Sequence, residues 1–299
     1  MDDISLMTVF VAVGDRLSFA GAARQLDLSA AAVTRAIQTL EQRRGTPLLV
    51  RSSRRVTLSE AGGRYLEDAR TILRLLADAE ARAVGVNAAP QGLLRVTAPV
   101  MFGRLFIVPG IADYLQRYPE MAVSATFVDR NVNLIDEGFD IAVRIGQLPD
   151  SGMKALKVGQ VGRWAFASPE YLEKYGIPQH PLDLHQHRII ATDVSSSQSI
   201  LRFGSRESPI SVKLKSVFGV TGSDAAIAAA LQGVGIIHLP VYQVKDQVAN
   251  GALVPILREY SGESLPIHLL HRESRFGSSK VRNFIDLIAD RLRAEPSLH

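Results

Sequence analysis

The chain has 299 residues, no cysteine, 46% hydrophobic residues and a formal net charge of +4. That length exceeds what a single core usually fills, so at least two folding units are expected; the missing thiols exclude disulfides and thiolate metal sites and fit a reducing compartment. No run approaches the roughly 18 uninterrupted apolar residues of a membrane span, and the acidic start, MDDISLM, lacks a basic-then-apolar leader. The expectation is a cytoplasmic protein.

In chain order, Leu6, Val9, Phe10 and Val13 recur at helical spacing after Asp2 and Asp3, which suit a helix N-terminus. Ser18 then precedes Phe19, Ala22, Ala23 and Leu26, whose i, i+3, i+4, i+7 spacing gives one apolar face, and a serine in that place can accept first-turn N–H groups. After a turn at Asp27 and Leu28, Ser29 caps a third helix with Val33, Ala36, Ile37 and Leu40 as its buried stripe. At about 100° per residue, Ala31, Thr34, Arg35, Gln38 and Gln42 fall on the opposite side.

Past Gly45 and Pro47, two apolar strands, Leu48–Val50 and Val56–Leu58, flank a tip made of Arg51, Ser52, Ser53, Arg54 and Arg55. From Arg16 to Leu58 eight arginines stand against two acids, Asp27 and Glu41, a net charge of +6 in a chain of +4. Charge concentrated in one small unit is the footprint of phosphate binding. Small, hydroxyl, amide and guanidinium groups on one helix face suit a major groove. A solvated helix face carries the same residue types; the basic hairpin beside it is what makes a winged helix-turn-helix the expectation. Its candidate DNA contacts are Ser29, Ala30, Ala31, Thr34, Arg35 and Gln38 on the helix and Arg51, Arg54 and Arg55 on the wing.

From Ser59 to about Val84 there is no proline, and Leu66, Ala69, Leu73, Leu76, Glu80 and Ala83 step by three and four residues, the spacing of a coiled-coil seam. Leu66, Ala69, Leu73 and Leu76 are therefore candidate dimerisation residues, the alternative being a helix that lies on its own domain. The stretch GVNAAPQG, residues 85–92, is the clearest linker. Beyond it strands and helices alternate, which predicts an α/β region: strands over 93–97, 122–128, 139–145, 188–191, 216–220, 234–239 and 265–270, and helices over 103–118, 132–137, 169–174, from a Ser223 cap to Gly233, and 279–293.

At Ser18-Phe19, Ala22-Ala23, Leu26, Ser29, Val33, Arg35, Ile37, Leu40-Glu41, Gly45, Pro47-Leu48, Arg51, Arg54, Leu58 and Ala61-Gly62 the sequence resembles the LysR-type transcriptional regulators. It departs from the family's usual pattern at Ala30, Ala31 and Thr34, within the helix that would read bases. The resemblance implies a DNA-binding domain over 1–58, a dimerisation helix and hinge over 59–92, and an effector-binding region over 93–299 similar to periplasmic solute-binding proteins. That region would have two α/β lobes crossed twice by the chain, 93–161 with 266–299 and 162–265. Double-stranded DNA, a small-molecule effector and further copies of the chain, as homodimer or homotetramer, are the implied partners; no cofactor is implied.

Within that framework the loop Thr97-Ala98-Pro99-Val100-Met101-Phe102 joins the first strand to its helix, where parallel sheets bind ligands and helix N-termini bind anions. Ala98, Pro99, Val100, Met101 and Phe102 are thus candidate effector residues, with Arg144 at the end of the third strand as a carboxylate partner unless Asp140 or Glu137 claims it. Gly222 and Ser223, in the second-lobe loop VTGSD, are the facing candidates, although Ser223 also reads as a simple helix cap. His238 interrupts an apolar strand and could line the hinge or be a satisfied core residue. His180, His185 and His187 read as surface loop, and His268 and His271, three apart in a strand, point to opposite faces and share no metal.

No G-x-S-x-G, G-x-x-x-x-G-K-[ST] or G-x-G-x-x-G occurs, which disfavours an enzyme with an accessory DNA-binding domain. A transport solute-binding protein is disfavoured by the basic N-terminal unit. An architectural, non-specific DNA binder would leave two hundred residues of α/β region without a role. The expectation is a sequence-specific transcriptional regulator, not an enzyme, modulated by a small molecule that includes a carboxylate.

Overall fold

Three short polar side chains set the helix starts of the N-terminal unit in the computed structural model, which describes all residues except 52–55, 84–88, 131, 135, 149–152, 193–197, 206 and 273–277, and only the backbone of 51, 74, 78, 81–83 and 272. Helix α1 (Asp3–Arg16) begins where Asp2 accepts the Ser5 N–H at 2.7 Å. In α2 (Phe19–Gln25) Ser18 Oγ accepts the Gly21 N–H at 3.1 Å, and in α3 (Ala30–Arg44) Ser29 Oγ accepts the Ala32 N–H at 3.1 Å. Each such cap is worth about 1 kcal/mol relative to alanine. The apolar stripes of the three helices meet in one core that contains Leu6, Phe10, Val13, Ala22, Val33, Ile37 and Leu40.

Strands β1 (Leu49–Arg51) and β2 (Val56–Leu58) pair antiparallel with Leu49 opposite Leu58, so the expected wing is formed, although its tip, with Arg54 and Arg55, lies outside the described residues. Helix α4 (Glu60–Ala83) follows. At its first turn the Gly62 backbone approaches the Leu48 carbonyl so closely that a Cβ would sit 1.8 Å from the oxygen, a contact that only glycine permits. Further along, Leu66 and Ala69 are 3% and 0% exposed, Leu66 meets Gly14 of α1, and Arg70 pairs with Asp15. The expectation that Leu66 and Ala69 belong to an intermolecular seam is therefore corrected: both are covered by their own chain. Heptad spacing marks which residues are buried together, and it does not say by which neighbour. The unit accordingly extends through α4, as Met1–Ala88. Ile72 and Leu75 are each 44% exposed, and Leu73 and Leu76 are half-buried.

The second unit, Ala89–His299, starts with β3 (Gly92–Ala98). A continuous helical run follows: α5 (Val100–Phe102), a wider π-turn over Gly103–Ile107 and α6 (Val108–Arg117). The helix expected from Gly103 thus starts three residues earlier, and the wide turn lies directly before Pro109, which has no N–H for a regular bond. Next come β4 (Met121–Phe127), β5 (Ile141–Ile145), β6 (Met153–Val161), β7 (Arg163–Ala167), α7 (Pro169–Tyr175), β8 (Ile189–Ala191), β9 (Gln198–Phe203) and β10 (Ile210–Gly219). Last are α8 (Ser223–Leu231), β11 (Ile237–Pro240), α9 (Lys245–Ala249), β12 (Val254–Ile256), β13 (Leu265–Arg272) and α10 (Ser279–Arg293). The described residues of 132–137 form turns and not the expected helix. Ser223 is the first residue of α8, not its cap; the cap position is Gly222, at φ 97°, where a left-handed backbone favours glycine.

One five-stranded sheet runs β4-β3-β5-β13-β6, so the chain leaves it after β6 and returns at β13. Between these two crossings, strands β8-β10-β9 and β11-β7-β12 are joined by a parallel bridge from Ile189 to Ile236. These are the two lobes. The C-terminal helix α10 docks on α6 in the first: Tyr114 is fully buried, stands edge-on to Phe284 at 5.1 Å and donates its hydroxyl to the Lys280 carbonyl at 2.9 Å.

Candidate nucleic-acid interface and effector cleft

On α3 the candidate reading face is open: Ser29, Ala30, Ala31, Arg35 and Gln38 are exposed and Thr34 is half-buried. Thr34 Oγ1 donates to the Ala30 carbonyl at 2.9 Å, which leaves its lone pairs to accept from a base amino group. Ser29 Oγ is used as an acceptor by the helix start, so its own proton is free to donate to a phosphate there. The wing is tied to this helix through Glu41 Oε1, which accepts the Leu48 and Leu49 N–H groups at 2.8 and 3.0 Å.

The arginines that sequence counting treats alike divide into two sets. Arg43 and Arg44 pair with Asp3 at 2.5 and 3.0 Å, and the Arg43 guanidinium holds the Asp3 carboxyl below its ordinary range. Arg16 donates to Gln25 at 2.7 Å. Arg24 and Arg35 have no ion pair among the described residues, and Arg35 lies on the reading face. The +6 of the segment therefore includes arginines that hold the domain together as well as those available to phosphate.

In the second unit, β3, β4 and β5 are parallel, so their carboxyl ends share one edge. Thr97 is level with Ala142 on β5, and strand alternation puts Arg144 on the same sheet face, two residues nearer that edge. Thr97 Oγ1 and Arg144 Nη2 are both buried with no hydrogen-bond partner. Arg144 spends Nη1 on the Val143 carbonyl at 3.0 Å. Neither expected competitor takes it: Glu137 is held in a two-pronged pair by Arg130, and Asp140 accepts the Arg95 N–H. Burial pushes the Arg144 pKa below its usual value, opposed by the nearby Glu137 charge. Directly across β13 and β6 on the same face lie His268 and Lys157.

The loop after β3 departs from expectation. Ala98, Met101 and Phe102 are core residues, packed with α6 and the second lobe, and so shape the edge without lining it. Val100 is 41% exposed and Pro99 half-buried. The first free N–H of the helix, that of Val100, is already bonded to Asp129 Oδ1 at 3.0 Å, so the protein's own carboxylate occupies the place assigned to a ligand anion. Tyr242 meets Phe102 and Phe106 edge-on, each at 5.5 Å, and burial together with the Asp129 charge pushes its phenol up to about 12. Asp129 and Tyr242 were not expected from sequence. Asp129 follows the carboxyl end of β4, and the strand-end rule applied to the second strand would have found it. Gly222 and Ser223, both half-buried, open α8, which packs on the Val241–Val244 turn that carries Tyr242.

A basic helix-turn-helix with a wing, joined to a two-lobed α/β region whose strand ends carry unpaired polar groups, defines a DNA-binding regulator with a ligand-binding domain. Residues 4–63 match the family described as "Bacterial regulatory helix-turn-helix protein, lysR family", and residues 87–293 match "LysR substrate binding domain". An HTH-type transcriptional regulator of Xanthomonas campestris pv. campestris is 34% identical, with 97% of this chain and 86% of that protein covered. The solved structure of CrgA, a LysR-type transcriptional regulator from Neisseria meningitidis, superposes with a TM-score of 0.61 at 30% identity over 98% of this chain and 99% of that one. The virulence activator AphB of Vibrio cholerae, at 24% identity, has the same fold, with a TM-score of 0.62 over 97% and 99% of the two chains. The chain belongs to the LysR-type transcriptional regulators.

Proposed function

We propose that this regulator reads its operator through Ala31, Thr34, Arg35 and Gln38 of α3, holds phosphates with Arg51, Arg54 and Arg55 of the wing, and responds to a small carboxylate seated at the carboxyl edge of β3, β4 and β5. The observation that carries the ligand class is the buried, partnerless Nη2 of Arg144, on the same sheet face as the partnerless Thr97 hydroxyl. A buried guanidinium nitrogen without an acceptor is costly, and a carboxylate is the acceptor that suits its geometry. Thr97 then supplies a neutral hydrogen bond, and Pro99 and Val100 meet the ligand's body. Asp129, bonded to the Val100 N–H, disfavours a second negative charge at that end, which favours a monoanion. Across the cleft, Gly222 and Ser223 at the start of α8 belong to the facing lobe.

Ligand shifts the protein only by its differential affinity for two states. A carboxylate that binds one lobe arrangement better changes DNA affinity by that difference. Pairing of copies through the exposed Ile72 and Leu75 and the half-buried Leu73 and Leu76 of α4 presents two reading heads to a partly palindromic site. The test is a thermal-shift screen of small monocarboxylates against their neutral amides, followed by DNA titration with the compounds that stabilise the protein. Stabilisation by acids alone, with altered DNA affinity, supports the reading; equal effects of acid and amide overturn it.

A further inference from the structure

A second polar cavity lies within the second lobe. It has a volume of about 350 Å³, and its lining includes Arg163, Arg202, Phe203, His238, Glu263 and Leu265. None of the residues assigned above to the effector edge is in that lining. Arg163 opens β7 directly after the first crossing, and Glu263 and Leu265 lie on the returning one, so the cavity is bounded by both connections and by β9.

Its chemistry is that of an anion site. Neither Arg163 nor Arg202 has an ion pair among the described residues, although both line the cavity; the one bond recorded for Arg163 runs from Nε to the His238 carbonyl at 3.1 Å. The two guanidiniums repel each other, and Glu263, the acid in the same lining, forms no ion pair with either among the described residues, so an anion seated between them is stabilised. His238 is 8% exposed, lies against Phe203 at 4.9 Å between ring centroids, and its imidazole is held by the Arg163 backbone. It is a buried side chain that borders the cavity and ties β11 to β7 beside the Arg163 guanidinium.

We propose that this cavity is a second small-molecule site, which takes a monocarboxylate with a compact apolar body. The carboxylate bridges Arg163 and Arg202, and Phe203, Leu265 and the neutral His238 ring cover the body. Burial and the Arg163 charge push the His238 pKa down to about 3, so the imidazole stays neutral at physiological pH. Affinity should therefore be flat between about pH 6 and 8, where the acid is fully ionised. Since the occupant touches both crossings, it stiffens the hinge from a place separate from the β3–β5 edge.

The experiment is calorimetric titration of the full chain with acetate, isovalerate, cyclohexanecarboxylate and phenylacetate, each paired with its neutral amide, and repeated on Arg202→Gln, Arg163→Gln and Arg144→Gln. At least one acid should bind saturably without its amide, and Arg202→Gln, which removes an exposed side chain and leaves the Arg163 bond to the backbone intact, should weaken it tenfold or more. Arg144→Gln should leave that affinity unchanged. Binding lost in Arg144→Gln but kept in Arg202→Gln places the ligand at the other edge and overturns the proposal. So does an absence of binding by every acid in the panel, or binding that rises steeply below pH 7.

Discussion

The carboxylate of Glu41, near the end of α3, accepts the backbone N–H of Leu48 at 2.8 Å, and through the same oxygen that of Leu49. Leu48 and Leu49 are buried, so without this acceptor two donors would be stranded away from water. The reading helix and the wing are thereby one piece, which fixes the distance between base and phosphate contacts. Glu41→Ala should destabilise the N-terminal unit by about 1 to 3 kcal/mol in urea denaturation and weaken DNA binding. Glu41→Gln retains an acceptor and should stay close to wild type. Equal behaviour of the two variants would mean that the link carries no stability.

Base reading and phosphate binding separate by salt dependence. Gln38→Ala or Thr34→Val should relax discrimination at particular base pairs by about 1 to 3 kcal/mol with an unchanged salt slope. Arg51→Gln should weaken binding to all sequences and flatten the slope by roughly one unit. Fluorescence anisotropy on operator and scrambled duplexes over a salt series distinguishes these outcomes, and a uniform loss for Gln38→Ala would remove α3 from the major groove.

The two halves of α4 should respond differently to a charge. Leu66→Asp places a carboxylate in the domain core and should unfold the N-terminal unit, at a cost of several kcal/mol. Leu76→Asp, in the half-buried and exposed stretch that includes Ile72 and Leu75, should leave that unit folded and yield smaller particles in sedimentation velocity. If the Leu76 variant keeps wild-type mass and DNA affinity, copies associate through another surface.

Much of this was legible because local chemistry and final position agree. Ser18 and Ser29 sit before apolar stripes, and both cap; Val33, Ala36, Ile37 and Leu40 repeat at helical spacing, and all four are buried. What stayed hidden depends on contacts distant in sequence. Nothing local tells Leu66 and Ala69 that α1 covers them, or tells Arg43 and Arg44 that Asp3, forty residues away, will claim them. Asp129 likewise acquires its role only when β4 lies beside β3. Strands β6, β7, β9 and β12 were not expected; β6 pairs with β13 and β12 with β7, partners far away in the chain that no local pattern announces.

His238 gives a pH signature. Its pKa in the folded protein is pushed down to about 3 from the ordinary 6.5, because burial and the Arg163 charge penalise the imidazolium. As pH falls below 6.5 the unfolded chain takes up the proton and the folded one does not. The stability contributed by the neutral ring is thus intact above 6.5 and drains away towards pH 3, at up to about 1.4 kcal/mol per pH unit. Urea midpoints at pH 4.5, 5.5 and 6.5 should fall less steeply for His238→Leu than for wild type. Parallel slopes would place a hydrated imidazole at this position.

Arg144 offers the sharpest test of the effector edge, because structural and ligand roles predict different results. The side chain is half-buried, bonded once to the Val143 carbonyl and not ion-paired, so Arg144→Gln removes no salt bridge and leaves a polar group able to reach the same carbonyl. The variant should keep its unfolding midpoint within about 0.5 kcal/mol of wild type, as expected for a change without a named destabilising mechanism, and should bind effector-free DNA normally. Its response to the stabilising carboxylate should be lost, since a lone amide cannot replace the bidentate pair. Arg144→Lys keeps the charge but not the fork, and should respond at ligand concentrations raised tenfold or more. A variant that melts early would identify Arg144 as a support for the turns at 136–138, whereas a normal response in both variants would exclude it from the carboxylate site and leave Thr97, Pro99 and Val100 without their charged partner.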